Sequence, residues 1–266
     1  MRKIPWMIVA LALAGSAAAA EKKAAPEAAP ASPAGFATAL NAGLTLTDGN
    51  SETLAVNASL KTEGEKEGLG SVLAGAEANY GESTVAGTAV DPATGETVAT
   101  ESDEKTVENA KVYANVKKTL SPRTFASLDG AALYDDIAQI DYRATLGPGL
   151  GLYVVKNDRR TLSLEAGPSY LWEEVAGVAD DYLALRFAER YACQATKTAK
   201  LVQSLEYAPA AEDFDNYLLT GEIGVEAAIS DHLSLRVVVQ DKYDNTPAPG
   251  AERNDLSLIA GLGLSL

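Results

Sequence analysis

From residue 36 to the end of the chain, apolar and polar residues alternate with a period of two. Leu54, Val56, Ala58 and Leu60 are interleaved with Thr53, Ala55, Asn57 and Ser59. Ala110, Val112, Ala114 and Val116 stand against Lys111, Tyr113, Asn115 and Lys117, and Leu233, Leu235, Val237 and Val239 against Ser234, Arg236 and Gln240. Successive side chains of a strand point to opposite sides, so this pattern predicts strands that are apolar on one face only. Turn signals divide the region into runs at 36–47, 52–62, 70–80, 106–118, 124–134, 142–155, 161–172, 182–193, 198–208, 217–229, 232–243 and 255–266. The runs hold about 11–12 residues each, twice the usual globular strand and enough to cross a bilayer. No convincing helical pattern lies between them.

A soluble sandwich or lipocalin-type barrel would use shorter strands and a large-residue inner face. A transmembrane barrel needs an apolar outer face, a polar lumen and an even number of strands. Loop charge separates the two. If the first strand starts in the periplasm, the connections 47–52, 80–105, 135–141, 173–181, 208–216 and 244–255 face outside, and they carry 21 acidic and 2 basic residues. The opposite connections, 61–68, 117–123, 156–160, 192–200 and 229–232, are shorter on average and carry 5 acidic and 10 basic residues. A soluble barrel has no reason to sort charge by loop parity. Tyr80, Tyr134, Tyr142, Tyr170, Tyr182, Tyr207, Tyr217 and Tyr243 border the acidic connections, while Tyr153 and Tyr191 sit near the opposite ends. This placement predicts an interfacial aromatic girdle. The expected fold is an all-β transmembrane antiparallel β-barrel of about twelve strands over residues 35–266, with both ends in the periplasm.

The N-terminus changes the picture by adding an address. MRK, then IPWMIVALALAG, then SAAAAEKK reads as a secretory signal peptide over 1–20, with Ala18 and Ala20 at the cleavage site. Residues 21–34, EKKAAPEAAPASPA, read as an Ala/Pro-rich periplasmic leader. The expected location is therefore a bacterial outer membrane. The single cysteine, Cys193, excludes a disulfide-stapled scaffold. The single histidine, His232, removes most triad and metal chemistry.

Four segments carry a resemblance to a known family: TDGNSETLAVNASL, YDDIAQIDYRATLGPGLG, LEAGPSYLWEE and QDKYDNTPAPGAERNDLSLIAGL. Together they resemble the domain-of-unknown-function family numbered 481, often labelled salt-induced outer-membrane proteins, over about residues 36–266. The resemblance implies an outer-membrane barrel with no assigned biochemical activity, inserted by the barrel-assembly machinery. The chain departs from the family in having Phe36 where members often have Trp, and in ending on Leu266 rather than Phe.

Candidate chemistry is sparse. Asp48-Gly49-Asn50 resembles the opening of an EF-hand loop, but its glycine position, missing distal Glu and lack of flanking helices fail that pattern. Asp-Gly between alternating runs is instead a hairpin signal. GPGLG at 147–151 lacks the strand-then-helix context of a phosphate loop. A turn at 156–159 would place Pro148 beside Pro168, which predicts a bulge or bend that helps close the barrel, or small residues that clear lumen space. By alternation, Arg143, Glu165, Arg186, Arg190, Glu206, Glu222, Glu226 and Arg236 face the lumen and are candidates for ion pairs across it. Gln203 falls on the lipid face, which suggests a bulge in the ninth strand or a shifted register. Asp48, Glu52, Asp135, Asp136, Asp180 and Asp181 are loop candidates for binding cations. No catalytic residue, dedicated metal site or cofactor is expected, and the acidic surface argues against nucleic acid.

The expected role is a passive, porin-like passage for small solutes or ions, or an envelope component linked to osmotic or salt conditions. The alternative is a structural or binding barrel whose acidic outer loops engage cations, lipopolysaccharide or an external ligand. The expected partners are outer-membrane lipid and lipopolysaccharide, the assembly machinery during insertion, and small solutes or ions.

Overall fold

The alternating runs become strands because each buries no core of its own and needs hydrogen-bonding neighbours on both edges. The computed structural model describes residues 36–47, 52–66, 69–90, 95 and 97–265. The expected signal peptide and leader, together with Asp48, the side chain of Glu52 and Leu266, lie outside the described residues. Twelve strands are seen among those described: β1 (Phe36–Thr47), β2 (Glu52–Lys66), β3 (Gly70–Val90), β4 (Thr97–Thr119), β5 (Thr124–Asp135), β6 (Ile140–Lys156), β7 (Arg160–Val175), β8 (Val178–Gln194), β9 (Ala199–Pro209), β10 (Tyr217–Ala228), β11 (Leu233–Asp244) and β12 (Asn254–Ser265). Each pairs antiparallel with its sequence neighbours, and β12 returns to β1, so the sheet closes as a barrel with no free edge.

The polarity of this barrel is inverted relative to a water-soluble one. Its outward face is apolar, with Leu150 66% and Leu258 72% exposed. Its inward face buries Asn115, Ser127, Glu165, Ser169 and Arg186. A bilayer solvates the first set and the lumen pairs the second, which makes this a transmembrane β-barrel.

The expected connection 173–181 shrinks to Ala176 and Gly177 because β7 and β8 run longer than their patterns. Four further features depart from the sequence reading. The connection expected at 80–105 is mostly strand: β3 and β4 pair from Gly70–Lys118 to Val90–Thr97, with a register shift at Gly81/Glu82. Its Thr- and Val-rich halves have strand propensity, and outside the bilayer a two-stranded ribbon needs no apolar face. Gln203 sits in an unbroken register, opposite Tyr191 on β8 and Ile223 on β10, so no bulge explains its outward position. Tyr182 pairs with Leu171, which is almost fully buried, and shares its face with Ala184 and Arg186. The Tyr153 ring lies tilted against the buried Phe125 ring, with centroids 5.0 Å apart. Both tyrosines thus belong to the lumen rather than to the aromatic girdle. The girdle continues on the outer face as Phe187, Tyr207, Tyr217 and Tyr243, linked by ring contacts at 5.5–6.4 Å.

The fourth departure is at the two prolines. The β6–β7 ladder runs to Leu146–Tyr170, lapses, and resumes at Leu150–Ala166 with no change of register. No bulge forms there. Pro148 and Pro168 remove two amide donors, and the backbones close up instead: a Cβ on Gly147 would lie 2.2 Å from the Pro168 carbonyl oxygen, and one on Gly167 2.1 Å from that of Pro148. Gly149 and Gly151 serve a different purpose. They clear lumen space for the Glu165 and Ser127 side chains and for the Phe125 ring, respectively. The turn between β7 and β8 follows from its residues. Ala176 (φ 52°) and Gly177 (φ 74°) have the positive φ angles of a two-residue hairpin of the primed type.

Closure is uneven around the ring. β3 and β4 pair over their whole length, whereas the β1–β12 ladder covers only Ala39–Ala42 against Leu262–Ser265 among the described residues. Two glycines permit that seam. A Cβ on Gly261 would meet the Ala42 carbonyl oxygen at 2.9 Å, and one on Gly263 would meet the Asn41 amide at 2.5 Å.

Candidate functional site

The lumen wall is built from inward positions of strands that alternate strictly, so charge placed at every second residue converges on the axis. The charges meet at three levels. Near the outer mouth, Arg143 on β6 pairs with Glu173 on β7 and reaches across to Asp244 on β11 at 2.9 Å. β6 and β11 are five steps apart around the ring, so this bridge spans the lumen rather than tying neighbours. Above it, the outer connections are latched together. The Asn245 amide donates to the Asp215 carbonyl at 2.6 Å, and the Thr246 hydroxyl donates to Asn216 at 2.7 Å.

At mid-depth, Arg186 is the hub. Its guanidinium contacts Glu165 at 2.7 Å, Glu206 at 2.8 Å and Asp129 at 3.3 Å. Glu165 also accepts a 2.8 Å hydrogen bond from the Ser127 hydroxyl and lies within 3.6 Å of Arg190 and 3.8 Å of Lys117. Lys117 in turn sits over the Phe125 ring, 4.3 Å from its centroid. Three cations and three carboxylates, of which Glu165 is buried, therefore share one patch of wall, and each charge has an opposite within reach.

On the opposite wall, Arg236 pairs with Glu222 at 3.1 Å and with Glu226 at 3.6 Å. Toward the other end, Lys200 on β9 approaches Glu63 on β2 at 3.9 Å, and Lys156 on β6 contacts Glu65 on β2 at 2.8 Å. These are also cross-lumen links. Between the walls lies a cavity of about 410 Å³, lined by Lys61, Glu77, Lys111, Asp129, Arg190, Glu222 and Arg236 among others. The lining carries both signs, so its field favours neither anions nor cations strongly.

All eight lumen residues singled out in the sequence thus have ion-pair partners. Glu173 and Asp244, which the sequence reading left at the ends of the outer connections 173–181 and 244–255, complete the outer bridge. The loop carboxylates do not converge. Asp135 is buried and accepts the Ala138 amide at 3.1 Å, while Asp136 pairs with Lys105 at 3.1 Å. Asp180 accepts the Asp181 amide, and Asp181 accepts the Tyr170 hydroxyl. No group of three or more His, Cys, Asp or Glu among the described residues is arranged to hold a metal ion.

Sequence reasoning missed two acids on the outward face. Glu189 lies between Phe187 and Tyr191 on β8, opposite Leu164 and Leu205, and accepts a 3.2 Å hydrogen bond from the Gln203 amide. Asp241 lies opposite Gly221 and Leu256, with its Oδ1 buried and without a hydrogen-bond partner among the described residues. The signal was present: both break the apolar parity of their strands.

Among solved structures, the chain is similar to the NanC porin, with 9% identity and a TM-score of 0.51 over 86% of this chain and all of that one. It also matches the KdgM porin, with 8% identity and a TM-score of 0.44 over 87% and 99% of the two chains. A third match is the translocator domain of the autotransporter NalP from Neisseria meningitidis, with 12% identity and a TM-score of 0.43 over 86% of each chain. At these identities the NanC likeness speaks for the barrel fold alone. No curated protein matches by sequence. The family assignment rests on residues 40–266, which match the model described as protein of unknown function, DUF481, and to that family the chain belongs.

Proposed function

We propose that this protein is an outer-membrane channel that passes small solutes or ions passively through its lumen. The observation that carries the reading is the cavity of about 410 Å³ enclosed by ion-paired walls of a closed, outwardly apolar barrel. A barrel that served only as a wall plug would gain more from a dry, close-packed interior than from a lining of buried charges, since replacing buried ion pairs with apolar groups is often neutral or stabilising. Balanced lining charges imply weak selectivity between anions and cations. On this reading residues 1–20 direct export and 21–34 form a leader in the periplasm. What supports a role under changing salt or osmotic conditions is that the more exposed lumen pairs, Lys156–Glu65 and Lys200–Glu63, weaken as ionic strength rises. No specific observation favours cation capture by the outer loops, where the described candidates Asp135, Asp136, Asp180 and Asp181 each have a partner within the chain.

The test is conductance of the refolded protein in planar bilayers at several salt concentrations. Discrete steps with an anion-to-cation permeability ratio near one are expected. A correctly inserted barrel that stays silent at every salt concentration overturns the proposal.

A further inference from the structure

The Glu189–Gln203 pair stands in the wrong solvent. Gln203 lies near the middle of β9 and faces Ile223 near the middle of β10, so the pair sits on the lipid-facing side of the sheet, between the Phe187 and Tyr207 rings and Tyr191. Hydrocarbon offers it no hydrogen-bond partner, and carboxylates on the lipid face of a barrel are destabilising. The bond within the pair uses one N–H of the amide and Oε2 of the carboxylate. The second N–H and the other oxygen need a partner that the bilayer does not supply. Beside the pair the surface is indented rather than smooth. A hollow of about 340 Å³ is bounded by Leu150, Leu152, Leu164, Phe187, Leu205 and Tyr207.

We propose that the outward face of β7–β9 is a two-fold self-association surface, in which Glu189 of each copy accepts a hydrogen bond from Gln203 of the other. The argument for a second copy, rather than another protein, is complementarity. A two-fold interface brings residue i against j and j against i, and this face carries a spare amide N–H on β9 beside a spare carboxylate oxygen on β8. An axis along the membrane normal preserves depth, and the Gln203 amide and Glu189 carboxylate already lie 3.2 Å apart within one copy, so each meets its counterpart close to its own level. A cationic partner would satisfy the carboxylate and leave the amide unpaired. The hollow then receives apolar side chains of the facing copy, where close packing rather than hydrophobic transfer drives association in lipid.

Sedimentation equilibrium in density-matched detergent, repeated as energy transfer between labelled copies in lipid vesicles, tests this. The wild-type protein is expected to form dimers. Glu189→Leu and Gln203→Leu should each weaken association at least about tenfold, as the loss of two symmetry-related hydrogen bonds implies. The swapped pair, Glu189→Gln with Gln203→Glu, should retain it to within about threefold, since the reciprocal pattern survives. Leu150→Trp, which fills the hollow from β6, two strands away from Glu189, should weaken it as well. Removing a lipid-facing carboxylate eases insertion, so these variants are expected to fold, and heat-modifiable gel mobility checks that each does. A wild-type protein that is monomeric at every protein-to-lipid ratio overturns the proposal. So does a Glu189→Leu/Gln203→Leu double variant that associates like wild type, or cross-linking from this face to a different protein instead of a second copy.

Discussion

Replacing Arg186 with methionine tests whether the mid-depth charges act as one unit. The substitution keeps a long side chain but leaves Glu165, Asp129 and Glu206 without their shared guanidinium. Their side chains differ in burial, being 2%, 15% and 41% exposed. Breaking a buried pair by removing one partner costs about 3–5 kcal/mol. Only Glu165 is buried to that degree, and it keeps Arg190 and Lys117 nearby. The expected cost is therefore at or below the lower end, about 2–3 kcal/mol, or roughly thirty- to two-hundredfold in the folding constant. Glu206→Gln removes the exposed member and should cost less than about 1 kcal/mol. Urea titration of folding into lipid vesicles, read by tryptophan fluorescence, measures both. If Arg186→Met costs no more than Glu206→Gln, the hub is an ordinary wet ion pair and the reasoning fails.

Three further outcomes are expected. Arg143→Ala or Asp244→Asn removes the bridge across the outer mouth, and either should raise single-channel conductance; conductance unchanged from wild type in both variants would show that the bridge does not limit the passage. Gly147→Ala and Gly167→Ala drive a methyl group into a backbone carbonyl at 2.1–2.2 Å, and each should cost about 1–3 kcal/mol or more in the same urea titration, whereas Gly177→Ala, with open space around it, should cost mainly its backbone strain. In the ribbon beyond the membrane, hydrogen bonds from Lys105 to Glu108 and Asp136 raise the lysine above its ordinary range. A raised value means a contribution fully present below the unfolded lysine pKa, about 10.4, and lost only as pH rises through the higher folded one. Protease resistance of the ribbon should therefore show no Lys105-dependent change between pH 7 and 9, and comparison with Lys105→Met checks it.

The sequence made the strands and their faces legible because a period of two leaves no ambiguity over a dozen residues. It also showed which charges face inward. It did not show which of them meet, because Arg143 and Asp244 are brought together by closure of the ring, and no local pattern encodes that. The β3–β4 ribbon was hidden for the opposite reason. Acidic, Thr-rich sequence resembles a loop when the only cue is a missing apolar face, yet paired backbone in water does not need one. Glu189 and Asp241 were legible as breaks in parity. Their outward position only gains meaning once the register excludes a slip of the strand.

The seam between β1 and β12 sets how the barrel is completed. Every other ladder joins strands adjacent in sequence and can form as a hairpin extends, but this one joins the first strand to the last. It is thus the pairing of highest contact order, and among the described residues it has only the short run from Ala39–Ser265 to Ala42–Leu262 to reward closure. Closure is expected to be the last step of folding and the slowest. For the same reason, amide hydrogen exchange should start here and spread outward, with the strands on either side of the seam losing protection before those that flank Arg186.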